Sequence, residues 1–192
     1  MSDFLQANAY PLLLPALAVV LLLVWLILRI VRSRKGGLRQ ALEEISFDRI
    51  DGLVIPNADE GEILIDYLLL TSQGLLVLEV KDVKGTVFGG DKLQDWTVIN
   101  EERRYTFSNP QPSLYDRIAS VRQIVRDVPV SGRILFLDGA EFTKGTPSLV
   151  TSLDQLVSEF GEPDKKAAKF KIEAFKPHWE LIRKAALSTS AG

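Results

Sequence analysis

The stretch that decides the fold is ILIDYLLLTSQGLLVLEVK, Ile63 to Lys81. Two strongly apolar runs, Ile63 to Thr71 and Leu75 to Lys81, flank Ser72-Gln73-Gly74, where Gly74 is free to take φ > 0. Runs of this length bounded by turn residues predict a hairpin in the middle of a buried sheet. Between Glu62 and Glu79 the sixteen residues carry a single charge, Asp66. An ionised carboxylate in such surroundings is costly unless it is paired or holds a cation.

Strand alternation puts Glu79 and Lys81 on one face and Val80 on the other. A turn about Ser72-Gln73 sets position 66 opposite 79, and one about Gln73-Gly74 sets it opposite 81. Either register gathers Asp66, Glu79 and Lys81 at neighbouring pleats. The grouping suits a hard divalent cation such as Mg²⁺, held by the two carboxylates, with the lysine beside the bound water or a phosphate. The chemistry this implies is hydrolysis of a phosphodiester. The acid-x-Lys triplet is weak alone, since Asp82-Val83-Lys84 and Asp164-Lys165-Lys166 also match it. An internal salt bridge between Lys81 and either acid explains the pattern equally well.

Working outward, Leu38, Ala41, Leu42 and Ile45 predict a short helix, and Ile50 to Ile55 a strand, followed by a turn-rich break over 57–60. Further strands are predicted at Gly85 to Phe88, Trp96 to Ile99, Arg133 to Leu137 and, more briefly, Ser148 to Val150. Asn109-Pro110-Gln111-Pro112 reads as a rigid loop before a helix over Ser113 to Arg126, whose apolar face is Leu114, Ile118, Val121, Ile124 and Val125. Arg117, Arg122 and Arg126 read as the solvated face of that helix, with phosphate contact the alternative. Ser152-x-x-Gln155 is a capping box for a helix through Phe160. A last helix starts near Asp164 and is interrupted or restarted at Pro177. Its lysines 165, 166, 169, 171 and 176 read as a solvated face, or as a surface for anionic lipid or nucleic acid. The whole is one α/β domain.

The N-terminus differs in kind. Phe4 to Leu28 contains no charge, and about 20 apolar residues suffice to span a bilayer. Arg29, Arg32, Arg34 and Lys35 follow it, which predicts a single-pass inner-membrane anchor with the N-terminus outside and the rest cytoplasmic. The 192 residues carry 23 basic and 25 acidic groups. Residues 1–39 hold five bases and one acid, so 40–192 are left at net −6, which counts against non-specific nucleic-acid affinity. No cysteine and one histidine, His178, exclude disulfides, thiolate zinc and poly-histidine metal sites.

Asp66, the Ser72-Gln73-Gly74 turn, Leu75 to Lys81, Gly85-Thr86-Val87-Phe88-Gly89-Gly90, Trp96 and Asn109-Pro110 occur in an order and spacing that resembles the NERD (nuclease-related) domain. The resemblance covers about 38 to 125, and 133 to 160 fits the family's ending. It implies a restriction-endonuclease-like mixed sheet flanked by helices, distantly related to PD-(D/E)xK nucleases. By the same resemblance Asp66 and Glu79 are metal ligands, the Val80 carbonyl is a third, and Lys81 is the catalytic lysine. The chain departs from the family where only Glu43 or Glu44 is available for an acid on the first helix. It departs again where Ser113 stands in place of a Gln, Gln111 being out of register.

The expected organisation is an anchor over 1–32, a linker over 33–37, a NERD-like domain over 38–162 and a helical extension over 163–192. The expected function is a membrane-anchored, Mg²⁺-dependent nuclease with nucleic acid as its partner and no small-molecule cofactor. The alternative is a membrane-tethered binding or scaffold module with little or no catalysis.

Overall fold

The computed structural model describes residues 37–56, 61–161 and 164–189. The expected anchor, residues 33–36 of the expected linker and the break over 57–60 lie outside the described residues. Among the described residues no helix is long and apolar enough to cross a membrane.

Helix α1, residues 37–45, buries Ala41, Leu42 and Ile45, the predicted apolar positions. Strand β1 (Asp48–Pro56) then pairs antiparallel with β2 (Glu62–Thr71), and β2 with β3 (Gly74–Lys81). The turn is the one about Ser72-Gln73, with Thr71 opposite Gly74, which sets position 66 toward 79 rather than 81. Gly74 takes φ +123°, and a Cβ there would lie 2.3 Å from the Pro129 carbonyl oxygen, so only glycine fits. Strand β3 continues into parallel pairing with β7 (Val130–Phe136), and β7 with β9 (Val150–Thr151). The five-stranded mixed sheet has the order β1-β2-β3-β7-β9, with the hairpin at its centre.

A second sheet, order β6-β5-β4-β8, is built from β4 (Gly85–Phe88), β5 (Asp95–Ile99), β6 (Arg104–Ser108) and β8 (Ala140–Glu141). Neither β6 nor β8 is expected from the sequence. It joins the first through an aromatic cluster in which Trp96 packs against Phe107, Phe136 and Phe142.

Helix α2 (Pro110–Ile124) corrects the expected rigid loop: Asn109 is its cap, accepting from the Gln111 N–H at 3.0 Å. Pro110 lacks an N–H that the first turn would leave unpaired anyway, so its ring starts the helix instead of blocking it. Helix α3 (Leu153–Phe160) carries the predicted capping box of Ser152 and Gln155. Helix α4 (Lys165–Thr189) runs unbroken through Pro177, against the expected interruption. Pro177 and Glu173 are both exposed, so the carbonyl left without a donor at 173 meets water.

The first sheet lies between two helical layers. Leu68, Leu70, Leu75 and Val77 share a core with Leu114, Ile118 and Val121 of α2 and with Ile172, Trp179 and Ile182 of α4. Leu69, Leu76, Leu78 and Leu135 are buried outside that core, as are Leu42 and Ile45 of α1 and Leu156 and Phe160 of α3. Gly132 on β7 brings α2 close, since a Cβ there would meet Ile118 Cδ1 at 2.6 Å.

Candidate active site at the opening of the central hairpin

Strands β2 and β3 pair only from Thr71 and Gly74 as far as Tyr67 and Leu78. Beyond that point β2 continues along β1 to Glu62, and β3 continues along β7 to Lys81. The two central strands therefore part company, and Asp66 and Glu79 are the first residues past the last pair. The alternation that turns Leu68 and Val77 toward α2 turns Asp66, Glu79 and Lys81 the same way. The sequence-predicted acids and lysine are thus brought to one place on one face.

Across the opening Asp66 Oδ2 accepts from the Val80 N–H at 2.9 Å. On the far side of β3 the Lys81 carbonyl accepts from the Leu137 N–H at 3.0 Å. The N–H and C=O of one strand residue share an edge, so the Val80 carbonyl faces the same opening as its N–H. Glu79 is 6% exposed. Its Oε1 lies 2.6 Å from Lys81 Nζ and its Oε2 lies 3.4 Å from an Arg117 terminal nitrogen. The salt bridge expected of Lys81 exists, and Glu79 is its partner.

Arg117, expected on a solvated face, is instead part of the site. Its Nε donates to the Leu64 carbonyl at 2.8 Å while the same guanidinium reaches Glu79, so one side chain of α2 bridges the parted strands. The signal was present in the sequence: at 100° per residue Arg117 borders the stripe of Leu114, Ile118 and Val121. Arg117 also lines a cleft of about 260 Å³, together with Glu62, Ile63, Leu64, Ser113 and Asp116. Arg122 is tied to the fold by donating to the Val130 carbonyl at 2.7 Å, and Arg126 is exposed.

The remaining candidates fall elsewhere. Gln111 is buried and accepts from the Leu149 N–H at 3.3 Å, which makes it part of the α2 start. Ser113 donates back to the Pro110 carbonyl at 3.0 Å. Glu43 and Glu44 are exposed on α1, and Lys166, Lys169, Lys171 and Lys176 are exposed on α4. At the turn between β4 and β5, hydrogen bonds from the Ser148 N–H, the Gln111 side chain and the Ser148 hydroxyl hold Asp91 below the usual aspartate range.

The donors at the opening are all oxygens: two carboxylates and a backbone carbonyl. That chemistry fits a hard divalent cation that keeps several waters. Among the described residues no group of three or more His, Cys, Asp or Glu exists that could hold a metal, so the carbonyl and water would complete the shell. Glu79 is paired with both Lys81 and Arg117, and Asp66 with the Val80 N–H.

No curated protein and no solved structure matches the chain. The nuclease-related domain matches residues 36–137, which takes in the central hairpin, β4 to β6, α2 and β7. The chain belongs to the NERD family, the nuclease-related domain.

Proposed function

We propose that this NERD protein is a Mg²⁺-dependent nuclease that hydrolyses phosphodiester bonds of nucleic acid at the opening between β2 and β3. The observation that carries the reading is the placement of Asp66, Glu79 and Lys81 on one face, where the strands part beyond the Tyr67–Leu78 pair. Asp66, Glu79 and the Val80 carbonyl would hold the ion. When bound, it would lower the pKa of a ligated water and offset charge on the phosphate. Lys81, one-third exposed at the mouth, keeps its ammonium where a phosphate oxygen or the attacking water arrives. The Asp66 bond to the Val80 N–H fixes the rotamer of the ligand before any ion binds, which favours a preorganised site.

The membrane anchor belongs to the same proposal. The charge-free run Phe4 to Leu28 and the four bases after it support a single span with this domain on the cytoplasmic side. The scaffold reading has one observation in its favour, the complete neutralisation of Glu79 by Lys81 and Arg117. Incubating the full chain with single- and double-stranded DNA and RNA, in Mg²⁺ and in EDTA, separates the two. Cleavage in Mg²⁺ alone supports the nuclease, and none under any condition supports the scaffold.

A further inference from the structure

We infer that Arg117 is a resident counter-ion of the site, which a divalent cation must displace from Glu79 in order to bind. The inference rests on the metal-dependent reading above. Both oxygens of Glu79 are engaged, but unequally: Lys81 is at 2.6 Å and Arg117 at 3.4 Å. Arg117 has its firmer hold elsewhere, through Nε to the Leu64 carbonyl at 2.8 Å. The guanidinium can therefore release Glu79 and stay anchored to β2.

The Arg117 guanidinium keeps its charge at any physiological pH. Arg117 is only 23% exposed and Glu79 7% at the side chain, so solvent screens the pair incompletely. A dication at Glu79 consequently meets a fixed positive charge within a few ångström, and Arg117 sets the metal affinity of the site by opposing it. A residue serving only to brace the strands would leave that affinity unchanged or, if lost, weaken it. Arg117 is a positioning residue in this account: it acts through Glu79.

The test is Mn²⁺ binding by the full chain, followed by the electron paramagnetic resonance of the free ion, with Arg117→Gln, Arg117→Met and Asp66→Asn alongside the wild type. Arg117→Gln is expected to bind Mn²⁺ about tenfold tighter or more, because a like charge has gone. Arg117→Met keeps the apolar stem and makes the same test should the Gln variant melt below the assay temperature. Asp66→Asn is expected to abolish binding. Unchanged or weaker binding in both Arg117 variants, with binding still dependent on Asp66, overturns this inference and leaves the metal site standing. Binding indifferent to Asp66→Asn, or absent from every protein, overturns both.

Discussion

Asp66 and Val80 are joined by a hydrogen bond of 2.9 Å across a gap where their strands no longer form a ladder. A side chain has taken the place of a backbone partner there, so the sheet opens without leaving the Val80 N–H bare. That substitution makes room for three functional groups in a sheet that is otherwise closely paired, and it links the stability of the hairpin to the chemistry of its mouth.

Asp66→Ala removes the acceptor and strands the Val80 N–H, which is expected to cost about 1–2 kcal/mol in urea unfolding. Asp66→Asn keeps an acceptor at the same point and is expected to cost less. The pair separates the structural part of Asp66 from its charge: both variants lose cleavage, and only the first loses appreciable stability.

Glu79→Ala leaves Lys81 and Arg117 facing each other without their shared anion. Breaking a fully buried pair typically costs about 3–5 kcal/mol, and the partial exposure of both bases reduces the expectation to about 1–3 kcal/mol. Combining Glu79→Ala with Arg117→Met is expected to recover part of the loss, read by thermal unfolding, since the double variant carries one fewer unpaired cation.

Gly132→Ala tests the approach of α2. The added Cβ meets Ile118 Cδ1, the mobile end of a side chain, so a rotamer change absorbs part of the strain and about 1–2 kcal/mol is expected. Arg117 rides on the same helix one residue before Ile118. Its reach to Glu79 should lengthen, and the variant should bind Mn²⁺ more tightly than wild type despite being less stable.

Asp91 supplies a dependence on pH. Its carboxyl is held below the usual aspartate range by hydrogen bonds to its ionised form, so the stabilisation is present above that range and disappears as pH falls through the lowered value. Asp91→Asn should therefore melt below wild type at neutral pH, and the two curves should converge in acid.

The central hairpin was legible because its signal is redundant: apolar runs of strand length, a glycine at the turn and isolated charges all give the same answer. The sequence left two registers open, and the close approach of Pro129 to Gly74, a tertiary contact, selects between them. Strand β6 did announce itself, since half-buried Tyr105 and Phe107 alternate with exposed Arg104, Thr106 and Ser108, but its flanking charges masked the period. The two-residue strand β8 is too short to carry any period, and β9 overlaps the expected short strand over Ser148 to Val150 only at Val150. At α2 the Pro-rich start was read as a loop although Asn109-Pro110 is also a cap followed by a first helical residue.

Arg117 shows where site reading from sequence stops. Its helical position bordering the apolar stripe was available, but its partners lie 38 residues away on β3 and 53 away on β2. Only the packing of α2 against Gly132 and the parting of β2 from β3 bring them together. The net −6 of residues 40–192 is likewise a poor guide to the site, where Glu79 meets two bases.

The measurement closest to the central claim is the rate of nucleic-acid cleavage by the full chain in Mg²⁺, compared among wild type, Asp66→Ala and Lys81→Ala. A metal site with a lysine at the reacting phosphate predicts EDTA-sensitive cleavage that falls by about 100-fold or more in each variant, as for loss of one electrostatic group at a transition state. Cleavage that survives both substitutions unchanged would contradict the assignment of the site.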